Sequence, residues 1–170
     1  QGIYSLRNGY DSYGIHVIAN NLGIPCMVLD FPSQKRFIRE IKKGYDYIGI
    51  SSIIHNLQKV KWMIEQIRKI SPRSKIILGG FCATLPDLKK ILDVDYFCIG
   101  DGITFLRELL GMNPEYEFKN PDVGTDFYEV LGLPLFRIPR FPQVIVGLGC
   151  SYGCDFCSPR HFFGRRHIRF

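Results

Sequence analysis

No apolar run in this chain approaches the ~20 residues that a helix needs to cross a bilayer, so no membrane-spanning helix is expected. No basic-then-apolar segment opens it, so a secretory leader is not expected either. There is no low-complexity tract, and no repeat beyond an alternation of strand-like and helical stretches. Basic charge is not laid out in a stripe. The net charge is +6, but the excess gathers in Arg160, Arg165, Arg166 and Arg169, with no acid between Arg160 and Phe170. A short basic tail without a wider stripe argues against nucleic acid, and it fits an anionic cofactor or a solvated face. What remains is 170 residues, 46% hydrophobic and 22% charged, enough for one ordinary domain with a real core.

From Ile3 to about Gly111, short apolar runs alternate with amphipathic segments. The runs are Ile3–Leu6, Cys26–Leu29, Tyr47–Ile50, Lys75–Leu78 and Tyr96–Ile99. They are β-branched or aromatic and lack an alternating polar face, as strands covered on both sides do. Asn56–Ile70 places Leu57, Val60, Ile64 and Ile67 on one helical face. Ser33–Lys43 does the same with Phe37, Ile38 and Ile41, and Ser33 is placed to cap it. Asp101–Leu110 opens with an acid, which suits a helix N-terminus. The expected fold is α/β: a doubly wound, parallel, five-stranded sheet of flavodoxin-like type with right-handed crossovers. Residues 1–112 form that domain.

Residues 113–142 read as a linker. Pro114, Pro121, Pro134, Pro139 and Pro142 fall here, half of the chain's ten prolines, and proline breaks helices and withholds a ladder donor. Phe127, Tyr128, Leu131, Leu133, Leu135 and Phe136 nonetheless call for a surface to cover. Residues 143–170 begin a further unit. Cys26, Cys82 and Cys98 lie in apolar runs and read as buried, inert thiols, which points to a reducing, cytosolic compartment.

The other three cysteines carry chemistry. Val144–Leu148 leads into Gly149-Cys150-Ser151-Tyr152-Gly153-Cys154-Asp155-Phe156-Cys157, a C-x3-C-x2-C spacing with an aromatic before the third cysteine. Three close thiolates can hold three corners of a cubane iron–sulfur cluster. A zinc knuckle completed by His161 or His167, or a disulfide with a spare thiol, uses the same residues. The run resembles the signature of radical S-adenosylmethionine (SAM) enzymes. That resemblance implies a [4Fe-4S] cluster on Cys150, Cys154 and Cys157, SAM on the open iron, Phe156 beside the SAM adenine, and a flavodoxin- or ferredoxin-type electron donor.

The strand ends before it add a second cofactor. Ile48-Gly49-Ile50-Ser51-Ser52-Ile53-Ile54, Gly79-Gly80 and Gly100-Asp101-Gly102 would all lie at the carboxyl edge, where doubly wound sheets bind ligands. Small residues there let a bulky ligand reach the backbone. Each run has a structural explanation too: Ser51 and Ser52 as helix caps, Gly79-Gly80 as a tight turn. Together they resemble the cobalamin-binding domain of methionine synthase and of many radical SAM enzymes. The resemblance implies cobalamin contacts at Ser51, Ser52, Gly79, Gly80, Gly100 and Asp101, with the nucleotide tail on Ser51 and its base against the Gly79-Gly80 backbone. The chain departs from the D-x-H-x-x-G loop of the methionine-synthase type. Asp11 is present, but Tyr13 stands in the histidine's place and His16 in the glycine's. A phenol, with its pKa of about 10, is a poor cobalt ligand, so the expected cobalamin has no histidine from this domain on cobalt. A bulky replacement such as Gly80→Val is expected to weaken the ligand without unfolding the domain, because the site is a surface crevice.

The resemblance as a whole implies the N-terminal piece of a cobalamin-dependent radical SAM enzyme, most often a methyltransferase. A barrel of roughly 200 residues would have to follow, so the piece is not expected to be competent alone. Two rivals share the residues. One is a tRNA methylthiotransferase, although Ser51–Ser52 lacks that family's loop cysteine. The other is a βα binding or regulatory module with a zinc-binding tail.

Overall fold

The computed structural model describes residues 12–121, 125–130, 133–139 and 144–169, with the backbone alone for the second and third stretches. The expected first strand, Ile3–Leu6, lies outside the described residues. At the centre is a three-stranded parallel sheet, β1 (Tyr47–Ser52), β2 (Lys75–Gly80) and β3 (Tyr96–Phe97), in the order β1-β2-β3. Tyr47 pairs with Lys75 through to Ser52 with Gly80, and Ile77 and Leu78 pair with Tyr96 and Phe97.

α2 (Gln34–Ile41), α3 (Leu57–Ile70) and the short α4 (Leu88–Ile91) pack on the sheet. Their buried stripe is the one the helical period selects: Phe37 and Ile41 from α2, and Val60, Ile64 and Ile67 from α3, meeting Ile50, Ile76 and Leu78. Ile67, Ile76 and Leu78 are completely buried, and each such side chain contributes about 1.5–3 kcal/mol by leaving water. Ser33 caps α2 by accepting from the Arg36 amide at 3.3 Å. α1 (Tyr13–Leu22) and α5 (Gly102–Leu109) pack on each other around Tyr13, Val17 and Ile103.

Four expectations change. The parallel sheet holds three strands among the described residues, where five were expected. Cys26–Leu29 forms no ladder there, and Ile3–Leu6, its neighbour in a flavodoxin-like order, is not described. Cys26 is accordingly exposed, while Cys82 and Cys98 are buried. β1 is not covered on both sides among these residues: Ile50 and Ser52 point inward, and Tyr47, Gly49 and Ser51 are exposed. The proline-rich stretch is regular in part. Thr125–Val130 (β4) pairs antiparallel with Leu133–Pro139 (β5), with a register shift at Tyr128–Glu129. Pro134 and Pro139 are compatible with a two-stranded ribbon, in which each strand keeps one unpaired edge.

The last stretch holds β6 (Gly147–Gly149), α6 (Ser158–Phe163) and β7 (His167–Arg169). β6 pairs antiparallel with β7, so the parallel strand arrangement of a βα barrel is not seen among the described residues. Opposite the carboxyl edge, a charge network closes the sheet. Arg68 bonds Asp93 at 3.0 Å and Asp95 at 2.9 Å, Lys75 reaches Asp95 at 2.9 Å, and the Ile76 amide donates to Asp95 at 2.8 Å.

Candidate functional site

The carboxyl edge gathers most of the residues singled out by sequence. β1 ends in Ser51-Ser52 and β2 in Gly79-Gly80, opposite each other in register. The two serines differ. Ser52 is 1% exposed and donates its hydroxyl to the Gly79 carbonyl at 2.8 Å. It ties the two strand ends together and turns away from solvent. Ser51 is exposed, so it is the serine that a ligand can meet. Neither caps the next helix: Ile53 precedes the 3-10 turn Ile54–Asn56, and Asn56 precedes α3.

Gly80 is required by the backbone. It sits at φ 79°, ψ −174°, a region that is essentially glycine's alone. A Cβ there would lie 2.4 Å from the Ser52 carbonyl oxygen and 2.7 Å from its amide nitrogen. Gly79 has ordinary room: its Cβ would lie 3.8 Å from that of Cys98. The two strand ends therefore meet backbone to backbone, leaving a small-residue edge with Ser51 at its surface. Burial, with the Asp101 charge adding to it, pushes the Cys98 thiol behind this edge up to about 11, so it stays protonated.

β3 leads to Gly100 and Asp101. Asp101 caps α5 by accepting from the Ile103 amide at 3.0 Å. Its second oxygen accepts from the Thr104 hydroxyl at 2.6 Å and the Tyr116 hydroxyl at 3.3 Å. The phenol of Tyr116 is pushed up to about 12, first by burial and then by the Asp101 charge. Ile53 and Ile54, the last residues of the run that ends β1, are each 53% exposed beside Ser51 and Ser52. Elsewhere, Phe31 is 59% exposed and holds a positive φ of 40°, uncommon for a bulky residue. Exposed apolar side chains around a small-residue edge suit a large, flat, partly apolar ligand.

The loop after the first expected strand is described from Ser12 onward. Tyr13 is the first residue of α1 and is buried; its hydroxyl donates to Asn120 at 3.5 Å, and burial pushes the phenol up. His16 turns its Nε2 toward Asp30 at 3.5 Å, and that nitrogen is buried without a hydrogen bond.

The cysteine loop stands apart chemically. Cys150, Cys154 and Cys157 are free thiols, with Cys154 exposed. The Cys157 amide donates to the Cys154 carbonyl at 3.2 Å, and Cys157 precedes α6. Among the described residues no three His, Cys, Asp or Glu side chains converge into a metal-holding group. Phe156, the aromatic before the third cysteine, is 92% exposed. His161 faces the Asp155 carbonyl at 3.2 Å, and Arg160 bonds Asp155 and the Gly153 carbonyl. Among the described residues no helix is long and apolar enough to cross a membrane.

The chain is also similar to known proteins. It is 32% identical over 99 residues to an uncharacterized protein of Methanocaldococcus jannaschii, a match that covers 58% of this chain and 18% of that one. The chain therefore spans only a small part of that relative's length. No solved structure matches it. The model of the B12 binding domain family matches residues 2–110, which takes in the sheet, its helices and every residue of the small-residue edge, and the chain belongs to that family.

Proposed function

We propose that the carboxyl edge of the sheet binds cobalamin, with the nucleotide tail against Ser51, Gly79 and Gly80. The observation that carries this reading is the backbone contact at Gly80, where a Cβ would lie 2.4 Å from Ser52. It leaves two strand ends free of side-chain bulk next to an exposed serine and the exposed apolar pair Ile53 and Ile54. The donor set fits the group: one free hydroxyl, backbone at close approach and an apolar rim. When bound, cobalamin supplies the cobalt chemistry, and the chain's residues hold and orient it. If cobalamin binds here, α1 would offer its cobalt no ligand: the Tyr13 phenol is buried, with its pKa raised, and His16 turns toward Asp30. Titration with hydroxocobalamin tests this. Ser51→Trp is expected to abolish the visible spectral change while leaving thermal unfolding in place, since Ser51 is exposed. Binding that survives Ser51→Trp would contradict the assignment.

The cysteine loop supports a second element. Three free thiols within eight residues match a cubane cluster in donor chemistry, though they are not gathered into a metal-holding group here. Cys150, Cys154 and Cys157 would hold a [4Fe-4S] cluster in a longer radical SAM parent, with SAM on the open iron, Phe156 near its adenine, and methyl transfer as the outcome. Iron and sulfide analysis of that parent separates this reading from a zinc-binding tail.

A further inference from the structure

We propose that residues 113–121 are a strap, anchored on Asn21 and Asp101, that fixes the start of the cysteine-bearing segment to the βα domain through Asn120. The inference rests on contacts within the chain and is independent of any cofactor.

The first anchor is an amide pairing. Asn21, 6% exposed on α1, accepts from the Lys119 amide at 2.7 Å and donates to the Lys119 carbonyl at 2.8 Å. Its other amide hydrogen goes to the Val17 carbonyl at 2.8 Å. The side chain thus treats the Lys119 peptide as a neighbouring strand would, and all three of these groups are satisfied. Asn20 adds a bond to the Lys119 carbonyl at 3.2 Å. The second anchor is on α5. Arg107 donates to the Asn113 carbonyl at 2.6 Å and to the Asn21 carbonyl at 3.1 Å, and its guanidinium lies 5.7 Å from the Tyr116 ring centre. Tyr116 then donates to Asp101. With donors from Ile103, Thr104 and Tyr116, both oxygens of Asp101 are occupied by the chain itself. Asp101 serves the helix cap and the strap.

The strap ends on Asn120. Its Oδ1 accepts from the Ile145 amide at 2.8 Å, and Ile145 packs with Phe118 and Tyr116 on the Tyr13, Val17 and Ile103 cluster. Two points 25 residues apart are therefore pinned together on one body. The chain reaches Cys150 from Ile145, a position set by the strap and not by the length of the stretch between Asn120 and Ile145. Downstream, the Phe162 carbonyl oxygen lies 3.7 Å from where a Gly100 Cβ would be, so the segment returns to the carboxyl edge.

Residue-resolved hydrogen exchange on the full chain tests the strap. In Asn120→Ala the Ile145 amide should exchange about tenfold faster, the protection of one hydrogen bond. Asn120→Asp keeps the acceptor and should restore the slow rate. Tyr116→Phe should speed exchange across residues 116–120. In each variant the Ile67, Ile76 and Leu78 amides should keep their protection. An Ile145 rate unchanged in Asn120→Ala, or not restored in Asn120→Asp, would overturn the strap. So would loss of core protection in Asn120→Ala, because the contact would then belong to the global fold.

Discussion

Adjacent glycines at the end of β2 should respond very differently to one methyl group. In Gly80→Ala, the new Cβ would lie 2.4 Å from the Ser52 oxygen, and the backbone would stay at φ 79°. Holding a non-glycine residue in that region costs about 1–3 kcal/mol. The opposing atoms are backbone, which cannot swing aside, so the strand ends must also part. A total near 3 kcal/mol is a large share of a marginal fold's stability. For a domain of this size it should lower the melting temperature by roughly 12 °C. In Gly79→Ala the nearest atom would be the Cys98 Cβ at 3.8 Å, an ordinary contact, and the loss should stay below about 1 kcal/mol. Urea unfolding of the two variants, followed by circular dichroism, measures both. Equal losses would refute the close-approach account. The same geometry corrects the expectation that Gly80→Val weakens a ligand without unfolding: valine there should break the strand ends first, and Ser51 is the position at which to test the ligand.

Ser52→Ala should cost about 1–2 kcal/mol, by leaving the Gly79 carbonyl without its donor, and denaturant titration would detect it. Burial alone would raise the Asp95 carboxyl, but the Ile76 amide, Lys75 and Arg68 together hold it at about 2. Its folded value lies below the unfolded one, so its stabilisation of about 2 kcal/mol is complete above pH ~4 and is lost as the pH falls toward 2. Asp95→Asn should flatten that part of the stability–pH curve, and an unchanged curve would count against the network. Ile67→Ala, at a completely buried site, should cost 2–5 kcal/mol in the same assay. Alanine at Cys150, Cys154 or Cys157 in the longer parent should remove the visible absorption of a reconstituted cluster and SAM cleavage; retention in the triple variant would end the cluster reading.

Helices were the more legible part of the sequence. The apolar positions of α2 and α3 recur with helical period, and the same residues are buried. Ser33 and Asp101 announced their helix starts by side-chain chemistry. Strand context was harder. Cys26–Leu29 has the composition of a core strand, but composition does not say whether a neighbour covers it, and Cys26 is exposed. β3 is only two residues long, with one further bond from the Cys98 amide to the Leu78 carbonyl before Gly100 turns the chain. At the edge, both serines read as cap candidates, and it was the family resemblance that set the nucleotide tail on Ser51. The two-residue period of β1 held the distinction, because Ser52 shares the inward face of Ile50. The strap left little signal: Asn21 is a polar residue buried in an otherwise apolar helix face, and its partner is a backbone peptide nearly 100 residues away. Such pairings depend on tertiary geometry and have no local pattern.

The most direct test of the central claim is a spectrophotometric titration of the full chain with hydroxocobalamin. A saturable change in the visible spectrum is expected at micromolar concentrations, lost in Ser51→Trp and retained in Tyr13→Phe and His16→Ala. No spectral change up to high micromolar cobalamin, with the domain folded, would contradict it.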